Sequence, residues 1–247
     1  MPAVFVHGNP ETSAIWDVLF EHLSRKDVVA LSPPGFGAPA PEPFDATADA
    51  YLQWLVSELE RIDRPIDLVG HDWGGGHVLR VAMSRPDLIR SWASDIVGCF
   101  EPDYVWHEMA RTWQTPAAGE QAVAAAVSAP VAARAARLRS LGVGAAADRV
   151  AAAFDATMGR CILALYRSAA QPAMANWGRD LPNAAARPGL AIVPTGDQYT
   201  GGEALATRGA ARAGARVAVL QGRGHWWMCE DPAQGAGILD QFFASLT

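Results

Sequence analysis

The spacing of apolar residues along the chain predicts alternating strands and helices. Six short apolar runs rich in β-branched residues predict strands at 4–6, 28–31, 66–69, 92–97, 190–193 and 217–220. Between the second and third runs, Tyr51, Leu55 and Leu59 share one helical face, while Glu58 and Arg61 lie on the other. Strands that alternate with amphipathic helices predict an α/β fold with a mostly parallel sheet of about six strands.

The stretch from residue 99 to 187 has a different pattern. It is rich in alanine, has helical spacing and contains no apolar run typical of a strand. Its segment 117–153 mixes alanine with valine, leucine and arginine, which favours short helices over disorder. We interpret 99–187 as a helical cap, inserted into an α/β core formed by 1–98 and 188–247.

Composition excludes several classes of partner. The 247 residues carry a net charge of −6 and no basic stripe, which argues against nucleic acid. No apolar run approaches the ~20 residues of a membrane-spanning helix, and the N-terminus lacks the pattern of a signal peptide. The three cysteines, Cys99, Cys161 and Cys229, have no metal-ligand spacing. We expect a cytoplasmic protein without metal or cofactor, with no nucleic-acid or membrane partner.

A glycine-rich turn carries the candidate nucleophile. The third strand leads into Gly-His-Asp-Trp-Gly at 70–74, and helical spacing follows. Glycines permit a tight strand–turn–helix, which pushes the central side chain, Asp72, out at a helix N-terminus, where an anion is favoured. A carboxylate attacks without losing a proton first, and it forms an ester when it displaces a group from carbon. The alternative is that Asp72 only caps the helix.

Two further groups follow later strands. Asp197 comes after the fifth strand and His225 after the sixth, so the chain order is nucleophile, acid, base. His225 would activate water, and Asp197 would orient its ring. The first strand ends at Asn9, whose backbone N–H would form an oxyanion hole with that of Trp73. We expect structural roles for His7 and His71.

Together these residues resemble the α/β-hydrolase superfamily, within it the haloalkane dehalogenase and epoxide hydrolase branch. The resemblance covers nearly the whole chain, and Gly-His-Asp-Trp-Gly-Gly is its specific motif. It implies that Asn9 and the Trp73 indole would hold a departing halide. In fluoroacetate dehalogenases an arginine follows the nucleophile, whereas Trp73 stands here, so an acidic haloalkanoate is a poor candidate substrate.

The resemblance leaves a second substrate class open. Leu-Tyr-Arg at 165–167 looks like the cap motif of epoxide hydrolases, in which Tyr166 would protonate the opening ring. Those enzymes use two tyrosines, and Tyr104 is too early in the chain for the second. Tyr166 could instead be an ordinary core aromatic. The remaining cap aromatics expected to line an apolar pocket are Trp106 and Trp113.

Three readings of function follow. The first is a haloalkane dehalogenase acting on a small apolar substrate and water, the second an epoxide hydrolase, and the third a non-catalytic binding protein on the same scaffold. Family members usually have two more strands before the one that ends in His-Gly. The strand 28–31 would then lie at an exposed edge, so the protein would be a monomer or a homodimer that associates through this edge.

Overall fold

A computed structural model describes residues 2–62 and 64–246. The strands are β1 (Ala3–Val6), β2 (Val28–Leu31), β3 (Ile66–Gly70), β4 (Ile89–Ser94), β5 (Gly189–Pro194) and β6 (Arg216–Leu220). They form one parallel sheet in the order β2-β1-β3-β4-β5-β6. The predicted α/β class and the number of strands are confirmed.

Helices flank this sheet and fill the interval between β4 and β5. They are α1 (Asp17–His22), α2 (Ala48–Glu60), α3 (Trp73–Ser84), α4 (Glu108–Gln114), α5 (Ala118–Ser128), α6 (Val131–Ser140), α7 (Ala147–Ala153), α8 (Ala156–Ser168), α9 (Ala173–Trp177), α10 (Gly202–Arg212), α11 (Trp227–Glu230) and α12 (Pro232–Ala244). Short 3-10 helices precede α1, β4, α7 and β5, and another covers Val97–Phe100. The assignment of 99–187 to a separate cap stays a prediction.

The sheet has a core on each of its faces. In β1, Val4 and Val6 belong to one apolar cluster, which includes Tyr51 of α2. Phe5 belongs to a second cluster on the opposite face, which includes Trp16. Successive side chains of a strand point to opposite faces, so an apolar run such as β1 is buried on both sides. This burial fixes the strands whose carboxyl ends carry the site.

One predicted strand boundary was wrong. The fourth strand was expected over 92–97, but β4 ends at Ser94 and a 3-10 helix begins at Val97. The chain turns because the Ser94 hydroxyl accepts a hydrogen bond from the Ile96 backbone N–H. This turn leaves Asp95 at the end of β4, directly beside the end of β3.

The two edges of the sheet are β2 and β6. Val29 of β2 is exposed, as are Val217 and Val219 of β6. Association through the β2 edge stays a prediction. Among the described residues, no helix combines the length and the apolar character needed to cross a bilayer.

Candidate active site

Asp72 occupies a strained turn between β3 and α3. Its φ of 51° and ψ of −128° lie in a region that residues other than glycine rarely adopt. Its side chain makes no capping hydrogen bond to α3. A simple capping role therefore does not account for this aspartate.

Two glycines allow the turn to pack against the end of β1. A β-carbon at Gly74 would lie 2.1 Å from the carbonyl oxygen of Val6, and one at Gly8 would lie 2.2 Å from Oδ1 of Asp72. Neither position has room for a side chain. The absence of a β-carbon at these positions lets the Asp72 carboxylate approach the backbone of the loop that follows β1.

The structure brings Asp72, Asp197 and His225 together. Nε2 of His225 lies 3.6 Å from Oδ2 of Asp72, and Nδ1 lies 2.8 Å from Oδ2 of Asp197. The Asp197 and His225 side chains are buried, whereas 16% of the Asp72 side chain is exposed. Since Nδ1 faces a carboxylate, it carries the ring proton, and Nε2 is left free to accept one.

Burial and charge set the protonation states of these three groups. Burial raises the pKa of Asp72 to about 6, although the nearby His225 opposes this change. Burial alone would lower the pKa of His225, but the negative charges of Asp197 and Asp72 outweigh it and raise that pKa. Burial likewise opposes ionisation of Asp197, yet His225 holds the pKa of this carboxyl below its usual value. Asp197 is therefore a carboxylate when the His225 imidazole is protonated.

One of the two expected oxyanion donors, Asn9, is hydrogen-bonded to the Asp72 carboxylate, and the other, Trp73, acts on its pKa. The backbone N–H of Asn9 donates to Oδ1 at 3.0 Å, and the backbone N–H of Trp73 also stabilises the ionised form. The side-chain amide of Asn9 is buried, and neither its oxygen nor its nitrogen has a partner among the described residues. Burying an unpaired amide is costly. Asn9 does not line the cavity that contains Asp72, whereas Trp73, the other expected halide donor, does.

A second buried network lies directly behind His225. The His71 ring lies between two carboxylates, with Nδ1 2.5 Å from Asp95 and Nε2 3.1 Å from Glu11. Burial would favour the neutral ring, but these two carboxylates raise the pKa of His71 well above its ordinary value. The His71 ring centroid is 4.5 Å from that of His225. The network therefore places a buried imidazolium against the expected base.

Tryptophans complete this network. The Trp226 indole N–H donates to Glu11, and the Trp227 indole N–H donates to Asp95 at 2.8 Å. Asp95 also accepts the backbone N–H of Asp72 at 3.0 Å. Sequence reasoning gave no role in the site to Glu11 or Asp95. Their only visible signal was that each follows a strand of the sheet.

Glu11, His71 and His225 are also spaced as metal ligands could be. One ligand atom from each lies within 4.8 Å of the others. Oε1 of Glu11, however, is already hydrogen-bonded to His71 and to the Trp226 indole. These groups satisfy one another, so we interpret the cluster as a hydrogen-bond network.

A small cavity lies above Asp72. Its volume is about 20 Å³, room for about one water molecule. The other residues that line it are Trp73, Ile96, Cys99, Tyr104, Trp106, His107, Tyr166, Met174, Tyr199 and Thr200. A larger groove of about 690 Å³, between the loop that contains Gly35 and Ala46 and the helix α8, does not include Asp72. An alkyl substrate therefore reaches Asp72 only if the aromatic walls move.

The aromatic residues expected at the pocket occupy different places. Trp106 stacks on Trp73 with ring centroids 5.8 Å apart, and Tyr166 packs edge-on against Trp73 at 5.4 Å. The Trp106 indole N–H is buried without a partner in the described chain. Trp113 does not line the cavity; its ring packs against Tyr166 at 4.8 Å. The sequence of the alanine-rich helices did not predict which face of each helix points toward Asp72, so these positions could not be distinguished in advance.

The cavity also contains residues that sequence reasoning did not select. Tyr104 lines it, but its hydroxyl donates to the carbonyl of Tyr199 at 2.8 Å. Tyr199 packs edge-on against His225 with centroids 4.9 Å apart. His107 lines the same wall. No local motif marks these residues, because the loop that follows β5 and the start of α4 meet only in the folded chain.

A family model for the Alpha/beta hydrolase family matches residues 3–237. The chain belongs to the alpha/beta hydrolase family. A haloalkane dehalogenase of Agrobacterium fabrum is 29% identical over 103 residues, 41% of this chain and 32% of the relative. An epoxide hydrolase of Caballeronia sordidicola is 34% identical over 105 residues, 36% of this chain and 29% of the relative. The matched segments thus span about a third of these relatives.

Solved structures with low sequence identity to this chain have the same fold. The crystal structure of a putative ancestral haloalkane dehalogenase aligns with a TM-score of 0.74 at 20% identity, covering 99% of this chain and 92% of that one. At this identity the match shows a shared fold. The relatives and the family match confirm the predicted superfamily and branch, and they support a hydrolase.

Proposed function

We propose that this protein is a haloalkane dehalogenase-like hydrolase that acts at a saturated carbon through an ester on Asp72. The observation that carries the proposal is the position of the Asp72 carboxylate. It lies on a strained turn without a capping role, with Oδ1 held by the Asn9 N–H and Oδ2 3.6 Å from His225. A carboxylate held in this way is a nucleophile rather than a structural group.

The first step is displacement at carbon. Oδ2 of Asp72 attacks the carbon that bears the halogen, the carbon–halogen bond breaks, and the halide leaves with the bonding electrons. The halide would accept hydrogen bonds from the Trp73 indole and from the side-chain amide of Asn9, which is buried and has no partner among the described residues. Donors that meet charge as it develops lower the barrier more than donors that bind the neutral substrate equally.

The second step is hydrolysis of the ester. Nε2 of His225 removes a proton from water, and the resulting hydroxide attacks the carbonyl carbon of the Asp72 ester. The backbone N–H groups of Asn9 and Trp73 stabilise the oxyanion. When the intermediate collapses, the alkoxide leaves with the proton that His225 had taken, and the Asp72 carboxyl group loses its proton to solvent to regenerate the carboxylate. Asp197 stabilises the imidazolium formed at His225, with which it shares a 2.8 Å contact.

A second candidate is epoxide hydrolysis, because Tyr166 is buried in the wall of the same cavity. Burial, followed by the negative charge of Asp72, raises the pKa of Tyr166 well above its ordinary value. Its hydroxyl therefore stays protonated and could donate to an epoxide oxygen as Asp72 opens the ring. The hydroxyl of Tyr104, which is bonded to Tyr199, is not free to act as a second donor.

Two substrates distinguish these candidates. The purified protein is incubated with 1,2-dibromoethane and, separately, with styrene oxide, while bromide and diol are measured. Bromide release without diol formation supports the dehalogenase, and the reverse supports the epoxide hydrolase. Turnover of neither substrate rejects both substrate assignments. The third hypothesis, a non-catalytic binding protein on this scaffold, is tested separately by Asp72→Asn.

A further inference from the structure

His107 lies in the cavity wall between two tyrosines. Its ring packs edge-on against Tyr199 at 5.0 Å and against Tyr166 at 6.4 Å between centroids. All three residues line the same cavity as Asp72. His107 thus borders the space that a substrate bound to Asp72 would fill.

The fold determines which nitrogen of His107 carries the proton. Nδ1 accepts the backbone N–H of Ala110 at 3.2 Å and so caps α4. A nitrogen that accepts a hydrogen bond has no proton, so the neutral ring carries its proton on Nε2. Burial lowers the pKa of His107 to about 4, and the charge of His225 acts in the same direction. At neutral pH, His107 is therefore an uncharged donor of fixed orientation.

This donor has no acceptor in residues 2–62 and 64–246, since the only hydrogen bond of the His107 side chain is the one at Nδ1. Two other polar groups of the cavity already have partners, whereas the indole N–H of Trp106 is buried without one among the described residues. The Tyr104 hydroxyl donates to Tyr199, and the Cys99 thiol lies 3.7 Å from the carbonyl of Thr200. His107 therefore lines the cavity with a half-buried ring whose N–H has no partner in the described chain.

We propose that His107 determines substrate specificity by donating its Nε2–H to an oxygen atom of the substrate. The favoured substrates are then haloalkanes that carry an ether or hydroxyl oxygen a few bonds from the reacting carbon. A plain alkyl chain of equal length would cover the N–H and leave it unpaired, and a site built to hydrogen-bond a substrate discriminates against analogues that lack the partner. This inference rests on the proposed function.

The test compares two bromides of nearly identical size, 1-bromo-2-methoxyethane and 1-bromobutane. They differ in one position of the chain, where the first has an ether oxygen and the second a methylene. For each enzyme form, the ratio of the two kcat/KM values is measured by bromide release. Comparing this ratio between wild type and variants removes the intrinsic difference in reactivity between the two bromides.

Two variants separate the donor from the other roles of the ring. His107→Ser keeps an oxygen that can cap α4 but removes the ring, whereas His107→Phe keeps a ring of similar shape but removes both nitrogens. His22→Ser, at an exposed position of α1, is the matched control. Thermal unfolding of each variant establishes that it is folded before its kinetics are interpreted.

If the proposal is correct, the ether-to-alkane ratio falls about fivefold in both His107 variants, as expected for one neutral hydrogen bond, and stays unchanged in His22→Ser. A fall in His107→Ser alone would indicate packing of the ring, and a fall in His107→Phe alone would indicate the cap; either result overturns the proposal. An unchanged ratio in both variants also overturns it, while the proposed function stands. If the wild type releases no bromide from either compound, the proposed function itself fails.

Discussion

Nε2 of His225 lies 3.6 Å from Oδ2 of Asp72. This separation is longer than an ordinary hydrogen bond, so the imidazole does not bind the carboxylate tightly. His225 would interfere with the attack on carbon if it held Oδ2 firmly. In the mechanism that we propose, Asp72 attacks carbon and His225 would activate a water only after the ester has formed, so the two side chains have separate roles.

Replacement of the expected nucleophile, Asp72, tests its proposed role directly. Asp72→Asn keeps the shape of the side chain but removes its charge, and we expect turnover to fall by at least about 10⁴-fold. Bromide release is measured, and circular dichroism verifies the fold. Asp180→Asn, at an exposed position, is the control and should keep full activity. Comparable losses in both variants would contradict a special role for Asp72.

Removal of the base should trap the intermediate. In His225→Gln the attack by Asp72 can still occur, but no group remains to take a proton from water. We therefore expect a burst of about one bromide per protein molecule, followed by very slow turnover. Intact-protein mass spectrometry should detect an added bromoethyl group after reaction with 1,2-dibromoethane, and peptide mapping should place it on residue 72. Absence of both the burst and the adduct would argue against a covalent route.

The two steps should differ in their dependence on pH. Because the pKa of Asp72 is raised to about 6, the carboxylate is lost as the pH falls through that value, so kcat/KM should decline below about pH 6. Ester hydrolysis needs neutral His225, whose pKa is raised above its ordinary value by Asp197. Its rate should therefore begin to fall at a higher pH than that of the first step. Rapid-quench measurements over pH 5–9 resolve both limbs.

Asp197→Asn tests whether Asp197 raises the pKa of His225. Removal of the negative charge takes away the interaction that raises the pKa of His225, so the acid limb of ester hydrolysis should move to lower pH. The rate on its plateau should also fall, since the ring loses the partner that orients it. A limb that does not move would show that Asp197 does not set the protonation of His225.

The sequence allowed the fold and the turn at Asp72 to be predicted because both depend on local patterns. Apolar runs of a few residues mark the strands, and glycines on both sides of His71-Asp72-Trp73 mark the tight turn. The end of β4 was misplaced because apolar Ile96 and Val97 continue the run beyond Ser94, where the hydroxyl ends the strand through a local hydrogen bond.

The remainder of the site depends on contacts between distant segments. Glu11, His71 and Asp95 come together from the ends of three strands, and no spacing in the chain encodes that meeting. His107 and Tyr199 meet only when the loop after β5 packs against the start of α4. Such convergence follows from the packing of the folded chain rather than from periodicity.

The buried network around His71 should be the most sensitive point of the fold. His71→Leu would leave the carboxylates of Glu11 and Asp95 buried without the cation between them, which typically costs about 3–5 kcal/mol in the free energy of unfolding. His77→Leu is the matched control, because His77 is also buried but its Nδ1 has no partner among the described residues. Its replacement should change the stability by about 1 kcal/mol or less.

Urea unfolding at pH 7 measures both variants. The pKa of His71 is raised in the folded state, so the stabilisation from its charge is fully present below pH ~6.5 and is lost as the pH rises through the folded value. The difference in the free energy of unfolding between wild type and His71→Leu should therefore shrink at alkaline pH. Burial lowers the pKa of His77 to about 3, so this residue is neutral across that range and the small effect of His77→Leu should stay constant. Equal costs for the two substitutions at pH 7 would mean that His71 is neutral in the folded protein.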